Sequence, residues 1–84
     1  METQDFSRLK RPLYEVPEFI RDALNQHRLM EAYRNRPAYQ QNDYISWIMR
    51  AKRPETQAKR LAQMLVELEK GNKYMKMDYH PRMV

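Results

Sequence analysis

Eighty-four residues, a formal net charge of +5, no cysteine and a single glycine set narrow bounds on this chain. The length suits one domain with a modest core, and the missing cysteines exclude a disulfide framework or a thiolate zinc site. One glycine argues against tight hairpins and so against an all-β fold.

No stretch approaches the roughly 18 consecutive apolar residues that a membrane-spanning helix needs. The polar, acidic start, Met1, Glu2, Thr3, Gln4 and Asp5, is followed by no apolar run that could act as an export signal. The expected location is therefore the cytoplasm. Methionine, glutamine, lysine, arginine and glutamate are abundant, and all favour helix. Charge is unevenly placed. Residues 1–49 carry seven basic and seven acidic side chains, whereas Arg50, Lys52, Arg53, Lys59 and Arg60 face only Glu55 within residues 50–60.

In chain order, residues 1–15 show no sustained period and contain Pro12. They read as a flexible arm, with Phe6, Leu9, Leu13 and Tyr14 as side chains that could dock it. Pro17 suits the opening of the first helix, where its missing N–H has no intrahelical partner. Glu18 and Asp22 place negative charge near the positive end of that helix. Phe19, Ile20, Ala23 and Leu24 form its apolar stripe. A second short helix follows from about Arg28, with Leu29, Met30, Ala32 and Tyr33 as candidates for burial. Asn25 marks the break between the two, and a single continuous helix is the alternative.

The residue before a proline avoids helical geometry, so Arg36 and Pro37 separate the second helix from the third. Tyr44, Trp47, Ile48 and Ala51 give the third helix an i, i+3, i+4, i+7 face, with Ile45 on its flank. An alternative start lies at Asp43, capped by Asn42. Pro54 opens the fourth helix. Ala58, Leu61, Ala62, Leu65 and Leu68 hold a core spacing there, with Lys59, Gln63, Glu67 and Lys70 on the opposite side. Gly71 suits a left-handed residue that ends the helix. About three residues join the third and fourth helices, which should therefore form a hairpin packed antiparallel or at a steep angle. From residue 72 onward no clear period remains.

The predicted fold class is all-α: a small bundle of about four helices at residues 17–26, 28–35, 37–51 and 54–70. These form a domain over 16–71, between a flexible arm at 1–15 and a mobile tail at 72–84. The expected core comprises Phe19, Leu24, Tyr33, Tyr44, Trp47, Ile48, Leu61 and Leu65, with Trp47 as its central aromatic.

The stretch from Tyr44 to Leu61 resembles the bacteriocin-protection, YdeI/OmpD-associated (YdeI/OmdA) family of bacterial proteins. Trp47, Ile48, Ala51, Lys52, Arg53, Glu55, Thr56, Lys59 and Arg60 carry the resemblance, and Pro17, Ala23, Leu24 and Tyr33 extend it towards the N-terminus. Gln57 departs from it, standing where the family usually has arginine. The resemblance covers about residues 17–71. It implies a compact helical module, often found behind a small β-rich domain, and a link to tolerance of envelope or peptide stress. It attaches no reaction to the chain.

Function must then be read from surfaces. Arg50, Lys52, Arg53, Lys59 and Arg60 are the candidate binding residues, as a basic turn able to contact phosphates. The competing reading is that Lys52 and Arg53 complement the negative end of the third helix while Lys59 and Arg60 are solvated. Glu55 and Thr56, in the first turn of a helix, suit free backbone N–H groups better than catalysis. His27 and His80 stand apart, and Asp78 with His80 supplies too few ligands for zinc. No nucleophile has a matching base, and one glycine builds no phosphate cradle. No cofactor, metal or enzymatic activity is expected. The expected function is a small interaction module that binds another protein; the alternative is a nucleic-acid-binding domain using the basic turn. Tyr74, Met75, Met77 and Tyr79 make self-association a further option.

Overall fold

The computed structural model describes residues 13–79. Its elements run α1 (Glu18–Gln26), α2 (Met30–Arg34), α3 (Ala38–Arg50), α4 (Pro54–Lys70), β1 (Lys73–Tyr74) and β2 (Met77–Asp78). Among the described residues the fold is thus mostly helical, with four helices and one two-stranded antiparallel sheet. Lys73 pairs with Asp78 and Tyr74 with Met77. All-α overstates it by that one hairpin. The arm expected at 1–15 lies outside the described residues except for its last three.

Prolines start three of the helices. Pro17 and Pro37 both stand just before a helix, with φ near −60° and extended ψ. The Pro17 carbonyl accepts the N–H groups of Ile20 and Arg21, and that of Pro37 those of Gln40 and Gln41. Pro54 is the first residue of α4, where a missing N–H costs nothing. The third helix does not restart at Asp43. Asn42 lies inside α3, is buried, and accepts the Tyr14 N–H at 2.8 Å.

The break between α1 and α2 is a Schellman turn built without glycine. The Leu29 N–H reaches the Leu24 carbonyl at 2.8 Å and the Arg28 N–H reaches that of Asn25 at 3.1 Å. Arg28 sits at φ +59° between them. That arrangement satisfies the last carbonyls of α1 and packs Leu29 beside Leu24 on the core. It corrects the expected start of the second helix at residue 28: Arg28 is the left-handed terminator of α1, and α2 begins at Met30.

The core joins all four helices through Ile20, Leu24, Tyr33, Tyr44, Ile45, Ile48, Met64 and Leu68. Four of the expected core residues, Leu24, Tyr33, Tyr44 and Ile48, lie in it. Phe19 does not, being 40% exposed while its neighbour Ile20 is fully buried. Two adjacent helical residues point about 100° apart, and the packing chose Ile20. Trp47 is half-buried at the margin; Tyr44 is the central aromatic. Leu61 and Leu65 are likewise marginal, because the buried face of α4 is rotated to centre on Met64, Glu67 and Leu68. Ala58 and Ala62 consequently face out.

The largest departure follows Gly71. Gly71 adopts the left-handed conformation (φ +79°) that ends α4, as its position implied. Residues 73–78 then form a hairpin instead of a tail without structure. Its two central residues, Met75 and Lys76, have φ of +52° and +67°, the pattern of a type I′ turn. Neither is the glycine or asparagine that usually supplies it.

Ile20→Ala is expected to cost about 2–4 kcal/mol and Phe19→Ala less than about 1 kcal/mol, read from urea midpoints. Arg28→Gly should stabilise the protein by about 0.5–1 kcal/mol, since glycine removes the left-handed penalty of a β-carbon; a lower midpoint would contradict this turn.

Candidate functional site

Two regions gather charged side chains. The first is the basic turn joining α3 to α4. Arg50, Lys52, Arg53 and Lys59 are exposed there. Arg60 is different: its guanidinium lies over the Trp47 ring at 5.3 Å and donates to the Trp47 carbonyl at 2.6 Å. Gln57 donates to the Ala51 carbonyl at 3.0 Å. Both side chains on α4 therefore satisfy carbonyls that the end of α3 leaves open. The expected five-residue cluster divides into four exposed cations and one packing residue.

The second region surrounds Glu67, which was expected on the solvent side of α4 and is instead 4% exposed. Its carboxylate accepts four hydrogen bonds. One comes from the Tyr44 hydroxyl. Two come from the turn of the hairpin, Met75 N–H at 2.8 Å and Lys76 N–H at 2.7 Å. The fourth comes from Gln63 Nε2 at 3.0 Å. The Glu67 carbonyl accepts from Arg36 Nη2 at 3.1 Å, while Arg36 Nη1 donates to Gln40 Oε1 at 2.9 Å. The buried Arg36 guanidinium also stacks on Tyr79 at 4.8 Å.

Tyr74 completes this assembly. Its ring meets those of Tyr44 and Tyr39 edge-on, at 5.5 and 6.0 Å, and its hydroxyl donates to Asp43 at 2.5 Å. Burial raises the pKa of Tyr44, and the hydrogen bond its hydroxyl donates to Glu67 raises it further. Burial, followed by Asp43, does the same for Tyr74. Burial alone pushes Tyr33 up to about 12. These phenols are fixed proton donors, and the lone pairs of Glu67 are spent on holding the hairpin to α4. The arrangement latches the hairpin onto α3 and α4.

Outside the latch runs an open groove. Lys59, Ala62, Val66 and Lys70 supply one side from α4, with Lys73 and Lys76 across from them on the hairpin. Val66 is 49% exposed. Lys73 pairs with Asp78 at 2.6 Å on the surface, whereas Lys59, Lys70 and Lys76 form no ion pair among the described residues. Only Lys59 of these lysines was legible as a site residue, and then as part of the turn. Lys70, Lys73 and Lys76 follow one another closely in sequence but line one groove with Lys59 only because the hairpin folds back along α4. Among the described residues no group of three potential metal ligands occurs, and no helix is long and apolar enough to cross a membrane.

The raised phenols bear on stability at alkaline pH. Each binds its proton more tightly folded than unfolded, and an unfolded tyrosine titrates near pH 10. Their contribution is complete below that pH and is lost as pH rises through it towards the folded values. Folding stability should therefore decline above about pH 10, and Tyr44→Phe should flatten the decline while costing about 1–2 kcal/mol at neutral pH. Urea midpoints across alkaline pH, with absorbance titration of the phenols, check both.

Comparison with known proteins bears on the same span. No curated protein and no solved structure matches the chain. A family model described as Bacteriocin-protection, YdeI or OmpD-Associated matches residues 14–71, from the residue pinned to Asn42 to the glycine that ends α4. That span contains all four helices and more than half of the chain, so the protein belongs to the Bacteriocin-protection, YdeI or OmpD-Associated family.

Proposed function

We propose that the chain is a non-enzymatic module that acts by binding another protein, and that its family's link to bacteriocin protection is exercised through that binding. The observation that carries this reading is the groove on α4, where exposed Val66 and Ala62 lie between lysines. An apolar floor with a charged rim is the usual anatomy of a protein-binding surface. The buried polar groups support the non-enzymatic half of the reading. Arg36, Gln40 and Gln41 spend hydrogen bonds on tying segments together, and the Glu67 carboxylate has both oxygens engaged by four donors.

A second reading rests on the exposed Arg50, Lys52, Arg53 and Lys59 of the α3–α4 turn, which could contact phosphates of a nucleic acid. No aromatic side chain stands among these four for base stacking, and Trp47 beside them is covered by Arg60.

The two readings separate in one experiment. Tagged protein should retain a protein partner from nuclease-treated native extract, and Val66→Glu should reduce that retention. Purified chain should not be held on DNA or RNA even at about 50 mM salt, where phosphate contacts are strongest. Material that vanishes with nuclease, or tight retention on nucleic acid lost in a variant with Arg50, Lys52, Arg53 and Lys59 all changed to glutamine, would transfer the function to the turn.

A further inference from the structure

We infer that the α4 groove takes an acidic amphipathic helix of about three turns, presented by a partner protein. This rests on the protein-binding reading and specifies the chemistry of the partner at that surface.

Length comes first. The lining positions Lys59, Ala62, Val66 and Lys70 recur at three- and four-residue intervals along one face of α4. From first to last they cover about 16 Å, at about 1.5 Å rise per residue. An occupant lying along this face has room for three helical turns.

Composition follows from the floor and the rim. Ala62 and Val66 are one turn apart and both exposed, so they can receive apolar side chains spaced i and i+4 on a facing helix. Around them stand four lysines, three of which have no ion pair among the described residues. Among the described residues the only acidic side chain lining the groove is Glu67, and its two oxygens already accept four hydrogen bonds. With Lys59 and Lys70 at the two ends of the α4 face and Lys73 and Lys76 on the hairpin side, such a rim favours carboxylates at the ends and hairpin-facing side of the occupant and rejects a cationic helix by like-charge repulsion.

Preorganisation favours the same occupant. Lys76 is placed by the turn whose N–H bonds to Glu67, and Lys73 by its pair with Asp78. The hairpin wall is therefore built before any partner arrives, which lowers the ordering cost of binding. This wall lies beyond residues 14–71, so the groove is completed by a part of the chain that the family match does not include. A nucleic acid would use the lysines but not the apolar floor, and among the described residues no aromatic side chain lines the groove to stack its bases.

The test uses the purified full chain and a fluorescent helix-forming peptide, with leucines at i, i+3, i+4 and i+7 and glutamates on both flanks. Controls are the same peptide with lysine replacing glutamate, a single-stranded oligonucleotide of equal charge, and phosphatidylserine vesicles. The glutamate peptide should bind, more weakly as salt rises. Val66→Glu should weaken it by about tenfold or more. Reversing Lys70 and Lys76 together to glutamate should abolish its binding and confer binding of the lysine peptide. Val66, Lys70 and Lys76 are exposed, so Val66→Glu should melt like the parent, and the double reversal should stay folded with a slightly lower midpoint, since Lys70 stands in the last turn of α4.

Equal binding of the two peptides, indifference to Val66→Glu, or tighter binding of oligonucleotide or vesicles with the same charge-reversal loss would each overturn the inference. Capture of a partner from nuclease-treated extract that survives Val66→Glu would overturn the groove assignment alone. Peptide binding without any captured protein would instead count against the broader reading.

Discussion

The Glu67 carboxylate sits where α4, α3 and the C-terminal hairpin meet, and the arrangement of the chain after Gly71 depends on it. Burying a carboxylate costs several kcal/mol before compensation. Here the cost is offset by four donors, one from Tyr44, one from Gln63 and two from the backbone of Met75 and Lys76. Hydrogen bonds to a charged group contribute roughly twice what neutral ones do. The same residue uses its carbonyl to receive Arg36, so the segment before α3 is tied to the same point.

That interaction explains how a hairpin forms in a chain with one glycine. Type I′ turns need two residues at positive φ, and L-residues pay roughly 1 kcal/mol or more for each. The conformation of Met75 and Lys76 points both their N–H groups at one carboxylate, as a backbone nest does for an anion. Tertiary contact thus supplies what the turn residues themselves lack. Arg28 shows the same principle at smaller scale, where burial of Leu29 beside Leu24 holds a left-handed arginine in place.

The rotation of α4 links fold to surface. Turning the helix to bury Met64, Glu67 and Leu68 moves Leu61 and Leu65 to the core margin and puts Ala58 and Ala62 outside. Ala62 then joins Val66 as the floor of a groove, and the hairpin latched by Glu67 brings Lys73 and Lys76 to its edge. The candidate surface is a by-product of one buried carboxylate. The basic turn shows the converse effect: Arg60, counted by sequence among the cations, is taken up in covering Trp47 and capping α3.

Local rules determined much of this protein directly from its residues. Pro17, Pro37 and Pro54 set three helix starts, because a fixed φ and a missing N–H are properties of the residue itself. Gly71 set a helix end for the same kind of reason, and the short span between Ala51 and Pro54 keeps α3 and α4 packed against each other. Apolar periodicity placed Leu24, Tyr44 and Ile48 inside. The residues from Trp47 to Arg60 carried the family likeness that the match over residues 14–71 shows. Only tertiary structure decided between Phe19 and Ile20, buried Glu67, folded the hairpin and assembled the lysine rim. A periodicity locates an apolar arc only to within about one residue position, some 100° of helix, and a buried charge is defined by donors far away in sequence. Tyr44 lies 23 residues from Glu67, and no pattern within α4 announces it.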